Sequence, residues 1–148
     1  MFACEPISEL AKIEIMPLLH AHRDEVGFFK EEKISPYWEL YDSLQREGVL
    51  RFFTARENDI LVGYALFYIM RDPHFKNSTK AIQDLTYLSP KHRNGLNGYN
   101  FIKWVIAQMK RENIHSVYLH VTPSLDYSKI LKRLGLENMG NVYGMRLN

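Results

Sequence analysis

A basic stretch with two glycines, residues 89–98, lies between an apolar run and a helix-like run. It reads Ser-Pro-Lys-His-Arg-Asn-Gly-Leu-Asn-Gly. The apolar run before it, residues 81–88, predicts a β-strand, and the run after it, residues 99–112, predicts a helix. A loop that opens into a helix presents unpaired backbone N–H groups and the positive end of the helix dipole. The stretch therefore predicts an anion-binding site at the start of the helix.

Length and composition predict a single domain spanning residues 1–148. Of the 148 residues, 46% are hydrophobic and 24% are charged, which are usual values for a folded domain. A chain of this length buries roughly two thirds of its unfolded surface, so its core needs no disulfides. Cys4 is the only cysteine, which excludes an internal disulfide and a cysteine-based metal site. We expect no metal.

Net charge and the N-terminal sequence restrict the expected partners. The formal net charge is +2, which is too small an excess to predict nucleic-acid binding. The N-terminus lacks the basic start and long apolar core of a signal peptide, and no apolar run approaches the roughly 20 residues that span a bilayer. We therefore expect a cytoplasmic protein with no membrane partner, and a homodimer is left open.

The chain opens with a predicted strand and two predicted helices. Residues 1–7 give the short first strand. Ser8 is the expected N-cap of the first helix, and Pro17 should kink or restart that helix. Ser35 followed by Pro36 has the N-cap and first-turn pattern of the second helix.

Three runs rich in β-formers follow the second helix. Residues 49–55 and 60–70 flank a polar turn, which predicts an antiparallel hairpin. Residues 80–88 form the third long strand. Strict alternation along it would place four side chains on one face: Ile82, Asp84, Thr86 and Leu88. The opposite face would carry Ala81, Gln83, Leu85 and Tyr87.

Beyond the loop the sequence predicts a helix, a strand, a short helix and a last strand. The helix carries an apolar stripe at helical spacing: Ile102, Val105, Ile106 and Met109. Residues 116–121 predict a strand, Asp126 can cap a short helix that ends at Gly135, and residues 141–147 predict the last strand. Strand, helix and strand in this order imply a right-handed parallel crossover, so the sheet must be mixed.

This order of elements, with the loop in that place, resembles the GNAT superfamily of N-acetyltransferases over nearly the whole chain. Three runs carry the likeness: the strand Gln-Asp-Leu-Thr-Tyr-Leu at 83–88, the loop at 89–98, and Leu-Lys-Arg-Leu-Gly-Leu at 131–136. The resemblance implies an α/β fold with a mixed sheet. That sheet is mostly antiparallel, with a central parallel strand pair splayed around the coenzyme and about four flanking helices.

The loop matches the family pattern at its ends and departs from it inside. The family's loop runs Arg or Gln, two residues, Gly, one residue, then Gly or Ala. Arg93 and Gly98 match the two ends, whereas Leu96 holds the inner glycine position and Gly95 comes one residue earlier. The Leu96 amide can still donate, but its side chain must then point away from a bound phosphate.

The resemblance implies acetyl-coenzyme A as cosubstrate. In the family, the loop amides bind the pyrophosphate, and the preceding strand splays from its parallel neighbour so that the pantetheine arm pairs with exposed backbone. Carried onto this sequence, the expected binding residues are Thr86, Tyr87, Leu88, Arg93, Asn94, Gly95, Leu96, Asn97 and Gly98.

Asp84 and His120 are candidates for catalysis if the acceptor is an amine. An ammonium group has no lone pair to attack a thioester, so its proton needs a path away. The family carboxylate position aligns with Ile82, and Asp84 on the same predicted face is a candidate base, a cap for a loop amide or a binding group for the amine. His120 shares a predicted strand face with Tyr118 and could reach the acceptor side, where a histidine suits proton transfer, although a structural role is open.

The usual tyrosine acid of the family is absent. In the family it often stands four residues before the late glycine, and that position is Leu131 here. Tyr127 and Tyr143 are substitutes by proximity, and core roles for both stay open.

Two classes of function follow from the resemblance. The first is transfer of acetyl to a primary amine on a protein lysine, a chain terminus or a small molecule. The second is a non-catalytic module of the same fold that binds a protein or belongs to a virion. The shifted loop and the ending also resemble short acetyltransferase-like proteins of bacteriophages, which implies a phage origin and the host cytoplasm.

Overall fold

Five strands form one sheet in the computed structural model, which describes all 148 residues. The strands are β1 (Phe2–Cys4), β2 (Leu50–Glu57), β3 (Ile60–Arg71), β4 (Thr79–Leu88) and β5 (Ser116–Tyr118). They lie in the order β1-β2-β3-β4-β5, and every pair is antiparallel except β4 and β5, which are parallel. The predicted mixed sheet and the predicted hairpin are thus confirmed.

Four α-helices accompany the sheet: α1 (Glu9–Val26), α2 (Trp38–Arg46), α3 (Asn97–Arg111) and α4 (Ser128–Arg133). The Ser8 hydroxyl caps α1 by accepting a hydrogen bond from the Ala11 amide at 3.1 Å. Pro17 lies inside α1 without ending it, so the predicted restart of the helix was wrong. Pro17 is exposed, and on that face water can bond the carbonyl that a proline leaves without a donor.

The helices cover both faces of the sheet, and β2 and β3 alternate between the two resulting cores. One core lies under α1: Ile7, Ala11, Ile15, Leu50, Phe52, Leu61, Tyr64, Leu66 and Tyr87. The other lies under α3 and α4: Phe53, Ala55, Ala65, Phe67, Ala81, Phe101, Ile102, Val105, Met109 and Leu131. Adjacent phenylalanines, Phe52 and Phe53, therefore point to opposite sides, as a period of two residues requires. None of the helices has the length and apolar character that crossing a bilayer requires.

A β-bulge interrupts β4 at Asp84. On β3, Leu66 pairs with Leu85 and the next residue, Phe67, pairs with Gln83, so Asp84 has no partner. An extra residue reverses the alternation beyond it. Leu85 and Tyr87 accordingly pack on the α1 side together with Asp84, whereas Leu88 packs on the α3 side. The predicted grouping of Asp84 with Thr86 and Leu88 on one face was therefore wrong.

Three predicted boundaries also differ from the structure. Helix α2 begins at Trp38 and has no side-chain cap, so Ser35 and Pro36 precede it as extended chain. Strand β5 ends at Tyr118 and not at residue 121. The last strand predicted at 141–147 was wrong.

The C-terminal segment, residues 136–148, has no regular structure. Its last backbone hydrogen bond runs from the Leu136 amide to the Leu131 carbonyl, because the short strand β5 offers it no ladder to join. Gly135 ends α4 with a φ of +89°, as its position predicted.

Candidate active site

The parallel ladder between β4 and β5 is three residue pairs long. It ends at Ile82 and Tyr118, and no backbone hydrogen bond joins residues 83–88 to residues 119–127. The two chain segments separate from this point and leave an opening of about 70 Å³, which we call the strand cleft. It is lined by His22, Val26, Gln83, Asp84, Leu85, Thr86, His120, Thr122, Leu125 and Tyr127.

The strand cleft brings together the three side chains predicted to do catalysis. Asp84 comes from the bulge of β4, His120 follows β5, and Tyr127 precedes α4. Thr86 also lines the cleft, and its buried hydroxyl makes no hydrogen bond within the chain. A buried hydroxyl without a partner costs about 1–3 kcal/mol, so a ligand with a polar group at this point would gain that free energy back.

Asp84 is a half-buried carboxylate without a paired cation. The Tyr41 hydroxyl donates to it at 3.2 Å, and Asp84 takes part in no ion pair of the chain. Burial raises the pKa of Asp84, while the nearby hydroxyls of Tyr68 and Tyr41 counter part of that rise. The result is a carboxyl group that holds a proton more readily than an exposed aspartate.

His22 is a residue of the cleft that the sequence analysis did not single out as catalytic or binding. Its ring stacks on Tyr87 with centroids 4.9 Å apart, and its Nδ1 lies 2.8 Å from the Tyr64 hydroxyl. Burial lowers the pKa of His22 to about 4, so the imidazole is neutral at pH 7. Its spacing from Ala11 and Ile15 on the buried stripe of α1 is the sequence signal that points to this position.

Tyr127 is held by two oxygen atoms. Its hydroxyl lies 3.1 Å from Gln83 Oε1 and 3.0 Å from the His120 carbonyl oxygen, and it can donate to either. Burial raises the pKa of Tyr127 to about 12, which keeps the phenol protonated. Tyr143, the other candidate acid, is 89% exposed on the C-terminal segment and does not line the cleft.

The loop 89–98 lies at the end of β4 and carries free amides. The backbone N–H groups of five residues make no bond to another backbone group: Asn94, Gly95, Leu96, Gly98 and Tyr99. Gly95 adopts a φ of +58°, which glycine reaches without strain. The Leu96 side chain is 51% exposed and therefore points towards solvent rather than packing on the start of α3. Free amides at the positive end of a helix bind anions.

Two basic side chains of the loop, those of Arg93 and His92, are engaged within the protein. Arg93 bonds both carboxylate oxygens of Glu25 on α1, at 2.8 and 2.9 Å, and donates through Nε to the Leu88 carbonyl at 2.6 Å. His92 lies between the Ser89 hydroxyl at 2.6 Å and a Glu57 carboxylate oxygen at 2.9 Å. Arg93 and His92 therefore fix the loop to its neighbours, and the backbone amides, with the exposed Lys91 side chain, are the groups left for an anion.

The remaining predicted binding residues, Tyr87, Leu88, Asn97 and Gly98, do not line the strand cleft. Tyr87 is buried on the α1 side and donates its hydroxyl to Glu25 at 2.9 Å, whereas Leu88 packs on the opposite face. Asn97 is the first residue of α3 and is exposed. A Cβ at Gly98 would lie 3.2 Å from Cδ1 of Ile130, so this glycine allows α3 to approach α4.

A larger hollow of about 400 Å³ lies between the β2–β3 turn and the start of α3. Three of its lining side chains are already paired: Arg56 bonds Glu5 and Glu14, and Glu57 bonds His92. The unbonded Thr86 hydroxyl and the unpaired Asp84 carboxylate lie instead in the strand cleft. No group of three or more His, Cys, Asp and Glu side chains is placed to hold a metal ion.

Comparison with solved structures identifies the same fold in several acetyltransferases. A ribosomal-protein-alanine N-acetyltransferase from Brucella melitensis biovar Abortus 2308 is 17% identical, with a TM-score of 0.72 and 99% of each chain covered. An aminoglycoside acetyltransferase from an uncultured soil metagenomic sample, in complex with trehalose, is 15% identical, with a TM-score of 0.78 and coverage of 100% of this chain and 96% of that one.

A third similar structure contains the coenzyme. It is a predicted acetyltransferase with acetyl-CoA from Clostridium acetobutylicum, 19% identical, with a TM-score of 0.62 and coverage of 99% of this chain and 97% of that one. No curated protein sequence matches the chain significantly. The sequence profile of the Acetyltransferase (GNAT) family matches residues 18–135, which include the strand cleft and the loop 89–98. The chain therefore belongs to the GNAT acetyltransferase family.

Proposed function

We propose that this protein is an N-acetyltransferase that transfers the acetyl group of acetyl-coenzyme A to a primary amine. The observation that carries the proposal is the meeting of two features at the end of β4, the strand cleft and the free amides of the loop 89–98. Membership of the GNAT family supports acetyl transfer as the reaction.

The residues present fit the coenzyme. The free amides of residues 94–96, 98 and 99 at the positive end of α3 are donors of the kind that bind a pyrophosphate. The unbonded Thr86 hydroxyl and the backbone of residues 83–88, which is not paired with β5, offer polar partners to the pantetheine arm, which contains amide groups. Arg93 contributes by holding the loop to α1, since its guanidinium is engaged with Glu25.

The side chains of the strand cleft supply a path for protons. The bound coenzyme provides a thioester as the acetyl donor. An acceptor that arrives as an ammonium must lose a proton before attack, and Asp84 is placed to receive it, with His120 as the alternative base. Tyr127, whose phenol stays protonated at neutral pH, is the candidate donor of a proton to the sulfur leaving group.

The charge of the cleft supports a cationic acceptor. A half-buried carboxylate without a paired cation is partly desolvated, and the ammonium of an amine would offset that cost at Asp84. The rings of Tyr41 and Tyr68 beside it suit a cation as well. Lysine side chains, chain termini and small amines all have this group, so we propose the class of primary amines and no single member.

The test is coenzyme binding followed by turnover. We expect saturable binding of acetyl-CoA in calorimetry and acetylated products, by mass spectrometry, from a panel of lysine peptides, peptides with N-terminal alanine and aminoglycosides. Asp84→Asn should reduce kcat on the order of 100-fold and leave the Kd for acetyl-CoA unchanged, because the carboxylate handles the acceptor proton. Asp24→Asn, at an exposed position of α1, is the matched control.

Each negative result has a separate meaning in this test. Absence of saturable acetyl-CoA binding would refute the proposed function. Full turnover by Asp84→Asn would remove Asp84 from the catalytic residues and leave the transfer reaction in place.

A second candidate function is a non-catalytic module with the same fold. The observation that favours it is Leu131, which stands where the family often has its tyrosine acid and is buried in the core under α3. This candidate predicts that acetyl-CoA binds but that no amine of the panel is acetylated. A cytoplasmic location, a phage origin, a homodimer and the lack of nucleic-acid or membrane partners stay predictions from the sequence.

A further inference from the structure

The opening between β4 and β5 is bordered by a hydrogen-bonded side-chain bridge. The last pair of the ladder is Ile82 with Tyr118. Two residues after Tyr118, the His120 amide donates to the side-chain Oε1 of Gln83 at 3.0 Å and not to a main-chain oxygen. The Tyr127 hydroxyl reaches both this Oε1 and the His120 carbonyl oxygen. We call this arrangement of Gln83 and Tyr127 around the His120 peptide the Gln83–Tyr127 bridge.

The bridge occupies the groups that would extend the ladder. A parallel ladder grows when every second residue of one strand bonds its N–H and C=O to main-chain groups of the other. At His120 the N–H is taken by Gln83 and the C=O is within reach of Tyr127, so neither is free for β4. The main chain of residues 83–88 is left without a partner on that side.

Because Gln83 is buried, its side-chain oxygen needs hydrogen-bond partners from within the protein. Gln83 is 7% exposed, and its oxygen accepts from both a backbone N–H and a phenol. A buried polar group keeps its hydrogen-bond partners, because without them its desolvation would be uncompensated. Gln83 therefore acts as a spacer of one side-chain length between two strands that would otherwise meet.

We propose that Gln83 and Tyr127 are positioning residues that keep the strand cleft open for the pantetheine arm of the coenzyme. The part of this inference that concerns the coenzyme rests on the proposed function. The part that concerns the strands does not, since it describes the protein before any ligand binds. The bridge holds His120 at the wall of the cleft and leaves the main chain of β4 available to the arm.

The test removes the bridge without removing bulk. Gln83→Met keeps the side-chain length but has no acceptor, and Tyr127→Phe loses only the hydroxyl. In Gln83→Met, we expect the His120 amide, now without its acceptor, to bond the main chain of β4, so that its hydrogen exchange, followed by NMR, becomes slower. In Tyr127→Phe the His120 carbonyl loses its partner while Gln83 still accepts from the amide, so the same change should be smaller. The Kd for acetyl-CoA should rise about tenfold or more, because about one main-chain group of β4 would bond the neighbouring strand and no longer the coenzyme. The melting temperature should fall little, since one bond replaces another.

Two further variants separate positioning from general packing. Gln83→Glu restores an acceptor at the same distance. Its Kd for acetyl-CoA should therefore lie closer to that of the wild type than the Kd of Gln83→Met does. Thr54→Val removes a polar group from another fully buried site of the same sheet and should leave the Kd and the His120 exchange rate unchanged.

Faster exchange at His120 in Gln83→Met, with a weaker Kd only in proportion to a lower melting temperature, would overturn the proposal, because the bridge would then be ordinary packing. An unchanged Kd in both bridge variants would also overturn it. If the wild-type protein fails to bind acetyl-CoA while the exchange at His120 slows in the variants, the proposed function fails and the spacer role of the bridge stands.

Discussion

Burial moves two ionisable groups of the strand cleft towards their neutral forms. The pKa of His22 is lowered to about 4, and the pKa of Asp84 is raised. Because His22 is uncharged at pH 7, it supplies no cation to Asp84. A cationic acceptor would supply the positive charge that His22 does not.

The pKa of His22 predicts how stability depends on pH. Between pH 6.5 and pH 4 the unfolded chain binds a proton at His22 that the folded protein does not, so stability falls as the pH falls through this window. At pH 5 the expected loss relative to pH 7 is about 2 kcal/mol in the free energy of unfolding. Asp84 acts in the opposite direction, since its raised pKa makes the folded state bind a proton more readily.

A variant isolates the contribution of His22. His22→Asn keeps a hydrogen-bonding group for Tyr64 and cannot titrate, so its urea unfolding between pH 7 and pH 5 should lose about 2 kcal/mol less than that of the wild type. His20→Asn, at an exposed position of the same helix, controls for the loss of a histidine. Parallel pH dependence in His22→Asn and the wild type would show that His22 titrates normally in the folded protein.

At the scale of elements, the contact between the loop 89–98 and α3 allows one amide to be tested by itself. Replacement of Gly98 by a large residue is a poor test, because its Cβ would press on Ile130 of α4. Gly98→Ala and Gly98→Pro add the same Cβ, but only proline removes the N–H. Proline is tolerated in the first turn of a helix, where that N–H has no helical partner.

The pair of variants predicts a difference in coenzyme affinity. Gly98→Ala should bind acetyl-CoA nearly as the wild type does. Gly98→Pro should bind on the order of tenfold more weakly, because a hydrogen bond to a charged phosphate is worth about 1.5–3 kcal/mol. Calorimetry measures both affinities, and thermal unfolding checks that both variants fold. Equal affinities would mean that the Gly98 amide does not contact the coenzyme.

Local patterns predicted the elements well, and long-range pairing explains the errors. The apolar stripe of α3 and the glycine after α4 depend on spacing within a few residues, and both are confirmed. The bulge at Asp84 depends on the register of β3, which no pattern within β4 reveals. Residues 141–147 have the composition of a strand, but a strand also needs a neighbour, and β5 ends too early to supply one.

The candidate site was predictable to a similar extent. Asp84, His120 and Tyr127 were expected at the site, and all line the strand cleft. Gln83 was assigned only to a strand face, and its bond to the His120 amide could not be foreseen without the separation of β4 and β5. Arg93 was expected among the residues that bind the coenzyme, whereas its ion pair with Glu25 depends on where α1 ends in space.

At the scale of the whole molecule, the C-terminal segment is attached by few contacts. Arg146 pairs with Glu31 and Glu32, and these exposed pairs are worth no more than about 1 kcal/mol. Five large apolar side chains of the segment are exposed: Met139, Val142, Tyr143, Met145 and Leu147. The segment adds little to the free energy of unfolding of the isolated chain.

Truncation tests that conclusion. A chain that ends at Leu136 should unfold in guanidinium within about 1 kcal/mol of the full chain, because only exposed ion pairs are lost. Arg146→Ala in the full chain is the matched control for the ion pairs. Sedimentation of both chains would show whether the exposed apolar side chains support the predicted homodimer. A loss of several kcal/mol on truncation would show that the segment packs on the domain.

The unpaired residue in β4 also limits how this protein can change in length. Substitution at Asp84 alters chemistry, whereas deletion of that one residue would restore a period of two and turn either residues 79–83 or residues 85–88 over to the wrong face. The loop between β3 and β4 is irregular and can gain or lose residues at little cost. Divergence in related sequences should therefore accumulate insertions before β4 and none within it.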